Sequence, residues 1–188
     1  MPSEVVSEFI LIVVIVVLGL AIFSFSFAFL LPQIAFSNAQ NQASNYASSS
    51  SISVGPLLIS SSSSGSVVVE LYNPSYSGVA YVFAFVVPSY YQPSAGVVTP
   101  NSLPSYSVYF PNGSKASVVP VSSPIYDTSG KVIYQSPQLS LYKVLFNTPV
   151  TIVINNVNPS NIVIIWFIVN VGGYWFRIGY TYTGVPSQ

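Results

Sequence analysis

The sequence of 188 residues contains no cysteine and no histidine, and only 4% of its residues are charged. Without these side chains, the usual zinc, haem and iron–sulfur sites lack their ligands. Disulfides, thiol nucleophiles and Ser-His-Asp triads are excluded as well. Four basic residues against four acidic ones exclude a polybasic nucleic-acid footprint. We therefore expect no catalytic residue, metal, cofactor or nucleic-acid partner.

The low charge also argues against a free cytosolic monomer. Ordinary soluble domains carry about 25% charged residues, and a surface of this kind keeps a protein soluble. Here serine, threonine, asparagine, glutamine and tyrosine supply the polarity instead. The composition favours a protein that resides in a membrane or forms part of an assembly.

An uncharged apolar run occupies residues 9–31. At 1.5 Å per residue, these positions form a helix about 35 Å long, which is enough to cross a bilayer core of about 30 Å. The run is too long for a secretory signal core, it follows the acidic opening MPSEVVSE, and no small-residue cleavage site follows it. The sequence predicts one membrane-competent helix that is retained.

Side chains within this run favour packing of the helix against other helices. Phe23 and Phe27 lie on one ridge of a helix, and Phe25 and Phe29 lie on a nearly opposite one. A strip of small residues lies between the ridges: Ala21, Ser24 and Ala28. Small strips let helices approach closely in an apolar medium, and bulky ridges fill the gaps. A lone lipid-facing anchor gains little from such a surface.

Three further residues mark the ends of the apolar run. Glu4 and Glu8 share one helix face, and the helix dipole favours carboxylates in the first turns. Glu8 abuts the apolar run, so in a packed assembly it would pair with a free α-amino group, its own or a neighbour's. A helix-start preference and a register-setting ion pair are both open interpretations. Pro32 removes one backbone hydrogen bond and predicts a kink.

Beyond Pro32 the sequence predicts about four more amphipathic turns of helix. Serine-rich stretches follow, and after them the residue pattern changes to one typical of strands. We predict a helix over residues 1–47, a serine-rich linker over 48–66 and a head over 67–188. Strand-like runs separated by turn residues fill the head: 67–72, 79–87, 105–110, 116–119, 125–126, 132–134, 139–146, 150–157, 162–171 and 174–182.

Two of these runs, 79–87 and 162–171, are apolar on both faces, which is typical of strands buried between layers. Short strands at this spacing are typical of an immunoglobulin-like sandwich. The predicted fold class is α+β: a long N-terminal hydrophobic α-helix followed by an antiparallel immunoglobulin-like β-sandwich.

The head offers little catalytic chemistry. Glu70 and Asp127 lie on different predicted hairpins, and Asp127 in Asp-Thr-Ser-Gly is typical of a turn residue. Ser140 and Lys143 match the S-x-x-K pattern of serine acyl enzymes, but the companion motifs are absent. On a strand these two side chains face opposite sides. The sequence therefore predicts a protein that is not an enzyme.

Aromatic residues and one sequon are the remaining features of the head. The 14 tyrosines favour cross-strand packing and a contact surface, ahead of an aromatic carbohydrate platform. Asn112-Gly113-Ser114 is an N-x-S sequon on a predicted hairpin tip. Asn112 is therefore a candidate glycosylation site in an extracellular glycoprotein.

The residues SEVVSEFILIVVIVVLGLAI, a helical extension, a serine-rich joint and an all-β head stand in that order. This layout is similar to that of the class III-signal proteins of archaea, which include type IV pilins, archaellins and the stator-like proteins of the archaellum motor. The opening Ser-Glu-x-x-Ser-Glu resembles the stator-like branch, whose members lack a cleaved leader. Two features differ from a simple pilin, because no Lys/Arg-Gly cleavage site is present and no glutamate lies five residues into an apolar start.

The resemblance implies that the helix spans the membrane before assembly and bundles in a filament core afterwards, while the head forms the outer shell. The expected protein is an extracellular pilin for adhesion or motility. Its expected partners are further copies of itself in a helical homopolymer, the membrane, the pilus assembly machinery, and a surface layer or glycans. The alternative is a single-pass membrane-anchored β-sandwich that acts as an archaellum stator or a surface-layer-binding component.

Overall fold

Residues 2–60, 63–100, 105–135 and 138–184 are described by a computed structural model of the chain. They belong to two units, Met1–Asn38 and Ala39–Gln188. The first unit is helical, and the second contains the end of the helix and all of the strands.

The helical part contains α1 (Pro2–Phe25), a π-helical turn (Ser26–Leu30) and α2 (Leu31–Ser49). The predicted extension of the helix beyond Pro32 is confirmed. In the π turn, the N–H of Leu31 donates to the carbonyl of Ser26. In a regular helix, a proline ring would clash with the carbonyl four residues earlier. A wider π turn accommodates the proline ring. The structure thus has a widened turn just before Pro32, and the predicted kink stays a prediction.

Twelve strands follow the helices within the described ranges. They are β1 (Ser51–Val54), β2 (Leu58–Ile59), β3 (Ser64–Tyr72), β4 (Val79–Pro88), β5 (Tyr106–Tyr109), β6 (Val118–Val121), β7 (Ile125–Tyr126), β8 (Val132–Tyr134), β9 (Leu139–Leu145), β10 (Val150–Asn155), β11 (Asn161–Val171) and β12 (Tyr174–Gly184). A short 3₁₀ helix, Ser89–Ser94, follows β4. Each of the predicted strand-like runs overlaps one of these strands.

The strands form two sheets. One has the order β1-β3-β10-β5 with β2 also paired to β3, and the other has the order β6-β9-β4-β11-β12-β7-β8. The predicted α+β class with a β-sandwich is confirmed. The described pairings are antiparallel except that of β7 with β12, which is parallel. The short β7–β8 hairpin extends the larger sheet beyond β12, so a strictly antiparallel sandwich is a simplification.

The centre of the larger sheet is the pair β4–β11, and both strands are buried on both faces as predicted. Gly172 and Gly173 join β11 to β12 with φ of +59° and +88°, the backbone of a type I′ hairpin turn. Between the sheets, the hydroxyl of Tyr106 donates to the carbonyls of Val82 and Ser140 at 3.1 and 2.8 Å. This buried hydroxyl links β5 of one sheet to β4 and β9 of the other.

The predicted linker over residues 48–66 contains regular secondary structure over much of its length. The helix continues to Ser49, and β1, β2 and the start of β3 follow within this range. In β1 the serines alternate with Ile52 and Val54, which are less exposed than the serines. Alternation of this kind is a strand signal, and the serine-rich composition obscured it. Leu57, also in this range, is fully buried.

The last turns of α2 pack on the head, so the compact unit begins at Ala39 and not at residue 67. Ala39 and Ala43 are buried, since their small side chains allow a close approach. The ring of Tyr46 stacks on Tyr76 with centroids 4.4 Å apart. The side-chain amide of Gln40 donates to the carbonyl of Thr128 at 3.2 Å. These contacts fix the end of α2 on the turns of the sandwich.

Asn73 joins this helix end to the head. Its buried side-chain amide donates to the hydroxyls of Ser49 and Ser50 at 2.9 and 3.0 Å. The Oδ1 of the Asn73 side chain accepts the N–H of Ser75 at 2.9 Å. A buried polar group left without its partner costs about 1–3 kcal/mol.

We expect Asn73→Ala to lower the free energy of unfolding by about 2 kcal/mol, because several hydrogen bonds lose their partner at a buried position. Urea denaturation of the full chain in detergent micelles measures this change. The matched control is Asn155→Ala, because Asn155 is exposed and its amide donates to the hydroxyl of Ser105 at 3.2 Å. An equal effect of the two substitutions would contradict the role of Asn73.

Candidate assembly surface

The helix presents apolar side chains on every side. No described side chain from residue 4 to residue 38 is buried, and the large apolar ones from Val5 to Ile34 are between 44% exposed at Val13 and 67% exposed at Phe9. Such a surface is stable only in an apolar environment, because exposing it to water costs about 25 cal/mol per Å². A bilayer and a bundle of helices are the two environments that provide one.

The helix over Glu4–Ser49 is long and apolar enough to cross a membrane, and none of its most apolar stretch is buried. A core helix of a soluble protein would show the opposite burial. The protein therefore has one N-terminal helix of membrane-spanning length and composition.

The two phenylalanine ridges are present in the structure. The ring centroids of Phe23 and Phe27 are 4.4 Å apart, and those of Phe25 and Phe29 are 4.8 Å apart. The small residues of the predicted strip are all exposed: Ala21, Ser24 and Ala28. The hydroxyl of the next serine, Ser26, donates to the carbonyl of Ile22 at 2.9 Å, which satisfies this polar group within its own helix. The surface thus offers ridges and a shallow strip to a neighbour.

Glu4 and Glu8 lie on α1 and are exposed. Neither contacts a basic side chain within the part of the chain that the structure describes. Glu4 lies in the first turn, where the helix dipole favours it. Both carboxylates are available to a cationic group of another chain.

Asn112 lies at an exposed turn, as the sequence predicts. Its side-chain oxygen accepts the N–H and the hydroxyl of Ser114 at 3.0 and 2.7 Å. Gly113 has a φ of +80°, which favours glycine. After the turn, a bridge joins Tyr109 to Lys115, and the chain then crosses to β6 of the other sheet. The sequon is therefore displayed on the surface.

The carboxylates of the head lie apart from one another. Glu70 is on β3 of the smaller sheet, and Asp127 follows β7 of the larger one. Asp127 is the turn residue that the sequence predicts, since one of its oxygens accepts the N–H of Ser129, the N–H of Lys131 and the hydroxyl of Ser129. Burial alone would raise the pKa of Asp127, but these hydrogen bonds and the nearby Arg177 lower it overall.

This lowered pKa predicts a weak acid dependence of stability. A carboxyl group with a pKa below its unfolded value of about 3.9 stabilises the fold above that pH, and the contribution is lost as the pH falls through the folded pKa. We expect the contribution of Asp127 to be constant from neutral pH to about pH 5 and to be lost below about pH 4.

Thermal melts of the full chain in micelles across this pH range measure the effect. Asp127→Asn keeps a side-chain oxygen for the turn but removes its titration, so the loss of stability below about pH 4 should shrink. Glu70→Gln is the control, because it leaves the Asp127 turn intact. An unchanged acid dependence in Asp127→Asn would contradict the assignment.

The contacts that fix the end of the helix on the head were not predicted from the sequence. Gln40 and Tyr46 contact the head across the helix face that also buries Ala39 and Ala43. The spacing of the two alanines is a helix-face signal, but a polar helix near a serine-rich stretch was interpreted as leading into a linker. Tyr106 packs in the core, as predicted for part of the aromatic residues, and Tyr90 is exposed.

Compared with protein-family models, curated proteins and solved structures, the chain has no match in any of the three. The functional proposal therefore depends on the fold and on the surfaces described above. The largest of these surfaces is the uncovered apolar helix.

Proposed function

We propose that this chain is a pilin: the structural subunit of an archaeal type IV pilus-like extracellular filament that assembles through its N-terminal helix. The observation that carries the proposal is a helix with apolar side chains exposed on every side, combined with a β-sandwich that has its own complete core. Such a helix requires an apolar environment, whereas such a head does not.

The energetics favour two successive environments for the helix. Burying one large apolar side chain contributes about 1.5–3 kcal/mol, so the helix first resides in the membrane as a single span. Lipid is as apolar as leucine, so association of helices is driven by close packing and not by the hydrophobic effect. The small strip and the phenylalanine ridges supply that packing, and Glu8 pairs with a cationic group of a neighbouring chain.

The proposed filament has this chain as its repeating unit, with the helices in the core and the heads outside. The pilus assembly machinery extracts the chain from the membrane, and the filament serves adhesion or motility. A glycan on Asn112 would then lie on the outer surface, where the exposed turn places its side chain.

A second candidate is a single-pass membrane-anchored β-sandwich that acts as an archaellum stator or a surface-layer-binding component. The observation that favours it is the length of the uncharged apolar run at residues 9–31, which is enough for one bilayer crossing. The exposed Glu4 and Glu8 in the Ser-Glu-x-x-Ser-Glu opening support the same candidate through the resemblance to stator-like proteins.

Shearing of cells separates the two candidates. The pilin proposal expects this chain, identified by peptide mass spectrometry, in the filaments that sediment from the sheared supernatant. Detergent-resistant sedimentation of that material distinguishes filaments from shed membrane. Recovery of the chain in the membrane fraction alone would favour the anchored candidate.

A further inference from the structure

A β-bulge in the hairpin of β11 and β12 gives the head an unusual juxtaposition. Phe167 pairs with Gly179 and Ile168 pairs with Arg177, so Ile178 is the extra residue. In a regular strand, residues 177 and 180 would face opposite sides, because side chains alternate. The bulge places Arg177 and Tyr180 on the same face, and bulges that re-aim a side chain occur preferentially near functional sites.

Arg177 lies between two aromatic rings on this face. Its guanidinium carbon is 5.1 Å from the ring centroid of Trp166 and 5.3 Å from that of Tyr180. Trp166 pairs directly with Tyr180 across the strands and is fully buried against Phe83 and Phe85. Such stacking fixes the orientation of the guanidinium plane.

This site has hydrogen-bond donors without acceptors. Within the part of the chain that the structure describes, the guanidinium of Arg177 forms no hydrogen bond, although the side chain is partly buried. The indole N–H of Trp166 is buried and also has no partner. Asp127 interacts with Arg177 electrostatically, but its hydrogen bonds go to Ser129 and Lys131. A planar guanidinium with free donors matches a carboxylate in bidentate geometry.

Neutral groups continue from Arg177 along the same face. Tyr180 is 44% exposed and Tyr182 is 38% exposed, and Tyr182 pairs with Ile164 on the face that carries Trp166. The amide of Gln92 donates to the hydroxyl of Tyr182 at 3.4 Å. Residue 96 is close to Tyr180, because a side chain there would come within 2.6 Å of the tyrosine hydroxyl. The 3₁₀ helix and the following turn therefore flank one end of the row.

We propose that Arg177, Tyr180, Tyr182 and Gln92 form a binding site for an acidic glycan, with a uronate carboxylate on Arg177 and sugar rings on the tyrosines. One fixed cation beside exposed tyrosines and neutral hydrogen-bonding groups suits a sugar acid, which carries one carboxylate among many hydroxyls. An acidic peptide, which repeats its charge, would favour several cations. The other three cations are lysines outside this row.

This binding site rests on the proposed filament function. It adds to that function a ligand of a stated chemical class, an acidic glycan. It requires only the folded head, so it is tested on the unassembled full chain in detergent micelles. A failure of filament assembly therefore leaves this test intact, and a failure of glycan binding leaves the assembly proposal intact.

The test is isothermal calorimetry of the micellar chain with a galacturonate oligosaccharide. We expect saturable binding that Arg177→Gln weakens about tenfold, which is the loss of one charge-assisted hydrogen-bonded contact. Lys143→Gln is the matched control, because it removes one exposed cation of the head, and it should leave the affinity unchanged within about twofold. Tyr182→Ala, at an exposed position, provides a second variant if Arg177→Gln does not fold.

Four results would overturn the proposal. If the fully methyl-esterified oligosaccharide binds as tightly as the acid, the site does not recognise the carboxylate. Polyglutamate would bind more tightly if the site took an acidic peptide. Arg177→Gln and Lys143→Gln would weaken binding equally if the attraction were a general charge effect. Absence of binding to the wild-type chain would overturn it directly.

Discussion

Ser24→Leu and Ala28→Leu should each abolish filament assembly while leaving membrane insertion intact. Both side chains are exposed on the apolar helix and lie between the two phenylalanine ridges. The two ring centroids are 4.4 Å apart in one ridge and 4.8 Å apart in the other. A leucine on this strip would hold neighbouring helices apart, and close approach is the main source of helix association in an apolar medium. In lipid the same leucine is favourable.

The measurement is the amount of the chain in the sheared filament fraction compared with the membrane fraction. Ser24→Ala and Ala28→Ser are the matched controls, because each keeps a small side chain, and both should assemble normally. If the leucine variants reached the filament fraction at wild-type levels, the strip would not be a packing surface.

Phe167→Ala should give the largest loss of stability in the head. Phe167 is 1% exposed in the central strand β11 and pairs with Gly179. A side chain at residue 179 would come within 2.6 Å of Ile52 of β1, so this face of β11 is directed at the other sheet. Removal of the ring leaves a cavity between the sheets and should lower the free energy of unfolding by about 3–5 kcal/mol.

Tyr90→Ala is the control for this substitution, because it also removes an aromatic ring but from a side chain that is 71% exposed. It should change the stability by no more than about 0.5 kcal/mol. Urea denaturation of the full chain in micelles compares the two. Equal losses would contradict a core that lies between the sheets.

The sequence predicted the regular parts of this fold because they carry periodic signals. The doubly apolar runs at 79–87 and 162–171 became β4 and β11, and the glycine pair at 172–173 became a hairpin turn. The apolar helix was evident from length and composition alone. These features depend on local residue types, which is why a single sequence reveals them.

The missed features depend on contacts between distant segments. The strand β1 lay within a serine-rich stretch that obscured its alternating pattern, and its place in the sheet depends on its pairing with β3. The parallel pairing of β7 with β12 has no local signal. The bulge at Ile178 depends on the pairing register of β11 and β12. The sequence therefore placed Tyr180 in a strand but did not indicate that its ring lies beside Arg177. No spacing rule connects Arg177 to Trp166, because the two lie on different strands.

Electron microscopy of the sheared filaments, with helical reconstruction, tests the central claim most directly. The proposal predicts a polymer of this one chain, with a core of packed helices that includes residues 9–31 and a shell of β-sandwiches. Peptide mass spectrometry of the same sample identifies the subunit. A filament built from another protein, with this chain present only as single copies in the membrane, would contradict the account.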